Sequence, residues 1–152
     1  MKYLLFICSL IFLNYAYATT TNLKCIVNGN QYEKGATSQA TQKELAKKQI
    51  YLTVIEENMN LRFIIEGDRD LNTDVDTQTA NKKGTINKSN PNMFDVKLNY
   101  DNESMDHDIS IRINRVTGNI VLNHGVIATD KSGFLITEVS GQCQILENKN
   151  RF

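Results

Sequence analysis

The chain has 152 residues with 17 basic and 17 acidic side chains, so its formal net charge is zero. A balanced charge carries no electrostatic footprint for nucleic acid or for an anionic membrane surface. One proline and no tryptophan leave no Pro-rich linker, and the length fits one domain.

The chain opens MKYLLFICSLIFLNYAYA. Lys2 is a short positive segment, Tyr3 to Leu13 is an apolar run, and Ala16-Tyr17-Ala18 is a small-residue cleavage site. This pattern predicts a secretory signal peptide over residues 1–18, too short in its apolar part to span a bilayer. A single β-rich domain over residues 19–152 is then expected. Its release removes one lysine and no acid, leaving 16 basic against 17 acidic residues, a net charge of −1.

Release also removes Cys8 and leaves one pair, Cys25 and Cys143. In an oxidising compartment such a pair predicts a disulfide between the first and last strands. No C-x-x-C and no neighbouring histidine supports a redox or metal role for these cysteines.

NLKCIV reads as a strand with Leu23, Cys25 and Val27 on one face. Residues 28–40 read as polar and irregular. TQKELAKKQ is the single helix candidate, because Thr41 and Glu44 fit a capping box and Leu45 with Ala46 offers a small apolar face. QIYLTVIE and NLRFIIE, separated by a turn near Glu57–Asn60, read as a hairpin.

Residues 67–92 read as a long polar stretch with a short strand near Thr85–Asn87. Within it, Asp68, Asp70, Asn72, Asp74 and Asp76 fall at every second position, a spacing similar to that of calcium loops. The further positions fail: counting from Asp68, Thr73 stands where glycine is needed and Thr79 where glutamate is needed. A solvated acidic turn is expected and no metal site is assigned, with Asp68, Asp70, Asn72 and Asp74 as the nearest candidates.

FDVKLNY alternates strictly, with Phe94, Val96, Leu98 and Tyr100 on one side. HDISIRINRVTGNIVLNHGV alternates, breaks at Thr117-Gly118 and alternates again, which predicts a hairpin. His107, Ile109, Ile111 and Ile113 share its inward face with Ile120, Leu122, His124 and Val126. GFLITEVSGQCQIL is the last strand, expected to bulge at Ser140-Gly141 so that Cys143 and Ile145 turn inward.

These elements predict a mainly β protein, an antiparallel β-sandwich or small β-barrel of seven or eight strands with at most one short helix. His107 and His124, the two histidines, are expected to approach each other across strands, about 5 Å apart at Cβ if directly opposed. Asp106 and Asp108 flank His107 in sequence, yet neighbouring strand residues point to opposite faces, so neither is placed to orient the ring. No catalytic set is therefore assigned; His107, His124 and Asp106 come nearest to one.

The pairs Asn114-Arg115 and Thr117-Gly118, followed by Gly141-x-Cys143, resemble the C-terminal half of small exported bacterial proteins of unknown function. The resemblance covers about a third of the chain. It implies an exported β-domain with a structural turn and disulfide, and no activity.

The expected function is a non-enzymatic binding module of the periplasm or the extracellular space. It uses no cofactor and has no transmembrane span after cleavage. Its partner would be a protein or an envelope component, as for an inhibitor or immunity-type protein. Two alternatives stand beside it: a small metal-dependent or histidine-based hydrolase using His107 and His124, and a structural envelope component.

Overall fold

The computed structural model describes residues 18–57, 60–69, 71–76, 82–101 and 104–146, with backbone alone at 82 and 83. The proposed signal peptide, up to residue 17, lies outside the described residues. So does Asp70.

The described residues form nine strands and no helix: β1 (Thr19–Lys34), β2 (Thr41–Glu57), β3 (Asn60–Glu66), β4 (Thr73–Asp76), β5 (Lys82–Asn87), β6 (Met93–Asp101), β7 (Met105–Asn114), β8 (Asn119–Ala128) and β9 (Phe134–Ile145). They make one antiparallel sheet in the order β4-β3-β2-β1-β9-β8-β7-β6-β5. The mainly β expectation holds; the count of seven or eight strands does not. The sheet curls into a half-barrel, so its two arms meet across the concave face. Phe63 of β3 meets Phe94 of β6 edge-on, with ring centroids 6.2 Å apart.

The helix expected at TQKELAKKQ is the first half of β2. Opposite Val27 lies Lys48, and opposite Gly29 lies Leu45, so β2 carries one extra residue there. That bulge flips the pattern of inward positions from Leu45 to Ile50, both fully buried. The flip hides the period-two alternation of β2, and the capping-box residues Thr41 and Glu44 beside Leu45 and Ala46 then imitate a helix start. The expected bulge at Ser140-Gly141 is absent, since β9 runs in unbroken register with both neighbours. Gly141 has another purpose: a Cβ there would strike the Ile26 carbonyl of β1, so glycine permits the close approach of the two strands. Cys143 stays inward by simple alternation, while Ile145 is 67% exposed.

The core fills the concave face. Leu23, Cys25, Val27, Leu52, Val54, Phe63, Ile65, Phe94, Val96, Leu98, Ile109, Ile111, Ile113, Ile120 and Leu122 are all buried. Leu71 and Val75, inside the stretch read as polar loop, belong to this core and anchor the segment bearing β4. The Cys25–Cys143 disulfide lies within it, joining directly opposed residues of β1 and β9 with Cα atoms 3.9 Å apart. Closing a loop of 118 positions stabilises by about 4–5 kcal/mol in the chain-entropy account.

Candidate functional site at the open end of the sheet

The two ends of the half-barrel are built differently. At one end lie the start of β1 and the β7–β8 turn. Asn114 Oδ1 accepts the backbone N–H groups of Val116 and Thr117 at 2.9 and 2.8 Å. Gly118 adopts a φ of 76°, which glycine accepts without strain. Its carbonyl receives the Cys143 N–H at 2.8 Å. Arg115 then reaches across: its guanidinium stacks 4.4 Å above the Phe94 ring and lies 3.5 Å from the Glu56 carboxylate of β2. Groups from both arms close over the core at this end, and a cavity of about 640 Å³ remains outside them, lined by Glu56, Asn60, Asn87, Asn90 and Arg115.

The other end is open. Strand β3 pairs with β2 from Tyr51 to Glu57 and stops. Between Thr41 and Ile50, β2 pairs with β1 alone among the described strands. The long β1–β2 hairpin therefore extends beyond β3, and the concave face there forms a cleft of about 490 Å³. Met105, Val126, Ala128 and Leu135 line it from β7, β8 and β9, with Gln31, Glu33 and Lys34 from β1.

Beside this cleft the apolar concave face gives way to a polar row. Gln31 and Thr137, directly opposed on β1 and β9, are both buried. The Gln31 Nε2 donates to Thr137 Oγ1 at 3.3 Å. Thr137 is directly opposed to His124 on β8. His107 on β7 lies diagonally from His124, with ring centroids 5.9 Å apart, and stacks flat on Tyr100 of β6 at 4.5 Å. Five neutral polar side chains thus cross five adjacent strands. Val126 follows His124 by two positions, and Leu135 precedes Thr137 by two, so the row forms the inner limit of the cleft.

The sequence expectation placed both histidines on the inward face, and they lie there. They are not directly opposed: the register pairs His107 with Val126 and His124 with Ile109. The Ile113–Ile120 pair that closes the hairpin sets this offset. Tyr100, Gln31 and Thr137 are the site residues that sequence reasoning passed over. The signal existed for Gln31, because the inward set Leu23, Cys25, Val27 continues with period two to residues 29 and 31.

Burial dominates the electrostatics. It lowers the pKa of His124 from its ordinary value, and neighbouring His107 lowers it further. His107 is lowered by burial, partly offset by the charge of Asp106. Tyr100 is raised by burial. At neutral pH the row therefore holds two neutral imidazoles and a protonated phenol. His124 Nε2 is buried and makes no hydrogen bond. Asp106 follows the alternation to the other side of β7, and its charge offsets part of the lowering at His107.

The acidic stretch is engaged elsewhere. The Asp68 carboxylate meets Lys48 Nζ at 2.7 Å, and its backbone N–H donates to Asn72 Oδ1 at 3.2 Å. Asp74 sits on β4 opposite Ile64 and takes two bonds from the Arg62 guanidinium, at 2.9 and 2.5 Å, which hold its carboxyl below the usual range. Among the described residues no group of three His, Cys, Asp or Glu is placed to hold a metal ion. No helix among them is long and apolar enough to cross a membrane. Neither a known family, nor a curated protein, nor a solved structure matches this chain.

Proposed function

We propose that this protein is an exported binding module that receives its ligand in the cleft at the open end of the half-barrel. The observation that carries the reading is the combination of an apolar concavity with a polar inner row. Ligand sites combine apolar walls with a few placed polar groups, and the mouths of β-barrels are a common place for them. A structural sheet would gain stability by filling this row with aliphatic side chains, as it does at the level of Ile111 and Leu122. The export reading rests on the signal-like N-terminus together with the disulfide, which persists in an oxidising compartment. The partner is then an envelope component or an exported protein, an inhibitor or immunity-type role being the protein-binding form.

The test is purification of the protein from the exported fraction of its own host, followed by native mass spectrometry. A reproducible companion mass, absent from an Ala128→Trp variant that blocks the cleft, is the expected result. Recovery of the bare chain in both cases would overturn the reading. The alternative of a histidine-based hydrolase requires substrate turnover that His107→Gln and His124→Gln together abolish.

A further inference from the structure

The closed end holds a carboxylate that both sides of the sheet share. Glu56 stands two positions past the buried Val54 on β2, directly opposite Thr19, the first residue of β1. The Thr19 hydroxyl donates to Glu56 Oε2 at 3.3 Å. The Arg115 guanidinium, stacked on Phe94 of β6, lies 3.5 Å from the same oxygen. Glu56 therefore ties the start of β1 and the end of β2 to the β6–β7 side.

The charges around this carboxylate do not balance. Among the described residues, the charged groups lining the adjoining cavity are Glu56 and Glu57 of β2 and Arg115 after β7. The segment between β5 and β6 adds only neutral groups, Ser89, Asn90 and Pro91. Two carboxylates against one guanidinium leave one negative charge in excess, and a carboxylate partly withdrawn from water favours a cation beside it.

The chain carries the balancing cation in latent form. The expected leader cleavage falls between Ala18 and Thr19. While that bond is intact, the Thr19 nitrogen is an uncharged amide. Hydrolysis adds water across the bond, leaving a carboxylate on Ala18 and an ammonium on Thr19. The nitrogen and the hydroxyl of Thr19 sit on neighbouring carbons, and the hydroxyl already bonds Glu56. The new charge thus arises beside Glu56 and brings the lining to neutrality.

We infer that removal of residues 1–18 completes an ion cluster of the Thr19 ammonium, Glu56 and Arg115, which fastens the closed end of the half-barrel only in the processed chain. Before processing, Arg115 alone balances Glu56, so this end closes more weakly. The inference rests on the export reading and is independent of any ligand in the open cleft.

The experiment takes the protein from the exported fraction of its host and reads its N-terminus by mass spectrometry; Thr19 is the expected first residue. The α-amine, dimethylated with carbon-13 so that it keeps its charge, is titrated by NMR. It should titrate at least about half a unit higher than in Glu56→Gln. Melts then compare the processed protein with its Nα-acetylated form. A folded pKa raised above the unfolded value of about 7.7–8.0 gives stabilisation that is full below that range and is lost as pH rises through the folded value. The processed form should melt about 1–3 °C above the acetylated one at pH 6.5, and the gap should close above about pH 9.5. The gap should vanish in Glu56→Gln and survive in Glu57→Gln. If Glu56→Gln does not fold, the closing of the gap with pH decides. Equal titration in the parent and Glu56→Gln, or a gap that is absent or indifferent to pH, would overturn the cluster and leave the export reading standing. A chain that begins at another residue removes the cleavage reading and the cluster with it.

Discussion

The closed and the open end of this sheet are made from the same strands, yet they answer the problem of a concave face in opposite ways. At the closed end the face is covered from both arms: Phe63 meets Phe94, Arg115 lies over Phe94 and reaches Glu56, and the disulfide is held against the Gly118 turn. At the open end the β1–β2 hairpin outruns β3, and the concave face carries Gln31, Thr137, His124, His107 and Tyr100 where aliphatic residues would be expected. The lesson concerns strand length. A curled sheet closes on itself only as far as its shorter arm extends, and beyond that point the inward residues serve something other than the core.

The comparison can be broken most sharply at the closed end. Replacing Cys25 and Cys143 together with serine should lower the unfolding free energy by about 4–5 kcal/mol, measured as the guanidinium midpoint against the oxidised parent. A loss below about 1 kcal/mol would show that the turn and the aromatic contact hold this end alone. Phe63→Ala should cost about 3–5 kcal/mol, because it opens a cavity where the two arms meet. A double-mutant cycle with Phe94→Ala should return a coupling of about 0.5–1.5 kcal/mol from the edge-on contact.

Arg115→Ala should cost about 1 kcal/mol, the combined worth of a cation–ring contact and a partly exposed ion pair. Part of that loss should disappear in high salt, which screens Glu56 and leaves the ring contact. At the open end the sign reverses. His124→Leu removes a buried nitrogen that makes no hydrogen bond and should stabilise the chain by about 0.5–1 kcal/mol, since the ring retains some exposure. A destabilised variant would mean that the imidazole is better satisfied in the folded state than its surroundings indicate.

The smallest effect is one of pH. His107 and His124 have folded pKa values below the ordinary 6.5. On acidification the unfolded chain takes up protons first, so stability is full above about pH 6.5 and is lost as pH falls through the lowered folded values. Thermal melts between pH 7.5 and pH 5 should therefore decline, and the decline should flatten when both histidines are glutamine. An identical decline in that double variant would assign it to the carboxylates instead.

Much of this molecule was legible from one dimension. Strict alternation in Phe94–Tyr100, Ile109–Ile113 and Ile120–Val126 places those strands and their inward faces correctly, because side-chain direction in a strand is a local property with period two. The cysteine pair followed from arithmetic once residues 1–18 were read as a signal peptide. What misled was the bulge. One extra residue between Leu45 and Ile50 hides the period in β2, and a capping-box pattern then reads as a helix. Likewise Leu71 and Val75 are too isolated in sequence to mark a core, and only packing against the sheet makes them part of one.

The candidate site divides along the same line. That His107 and His124 face inward was a matter of alternation, and sequence sufficed. That they stand diagonally, with Tyr100 stacked on one side and Thr137 with Gln31 on the other, depended on hairpin register and on the pairing of β1 with β9, whose opposed residues Gln31 and Thr137 lie 106 positions apart. Whether the row lies in core or in an open cleft was decided last, by how far β3 extends along β2. Local chemistry determines which face a residue takes. The relative lengths and registers of strands distant in sequence determine what that face meets.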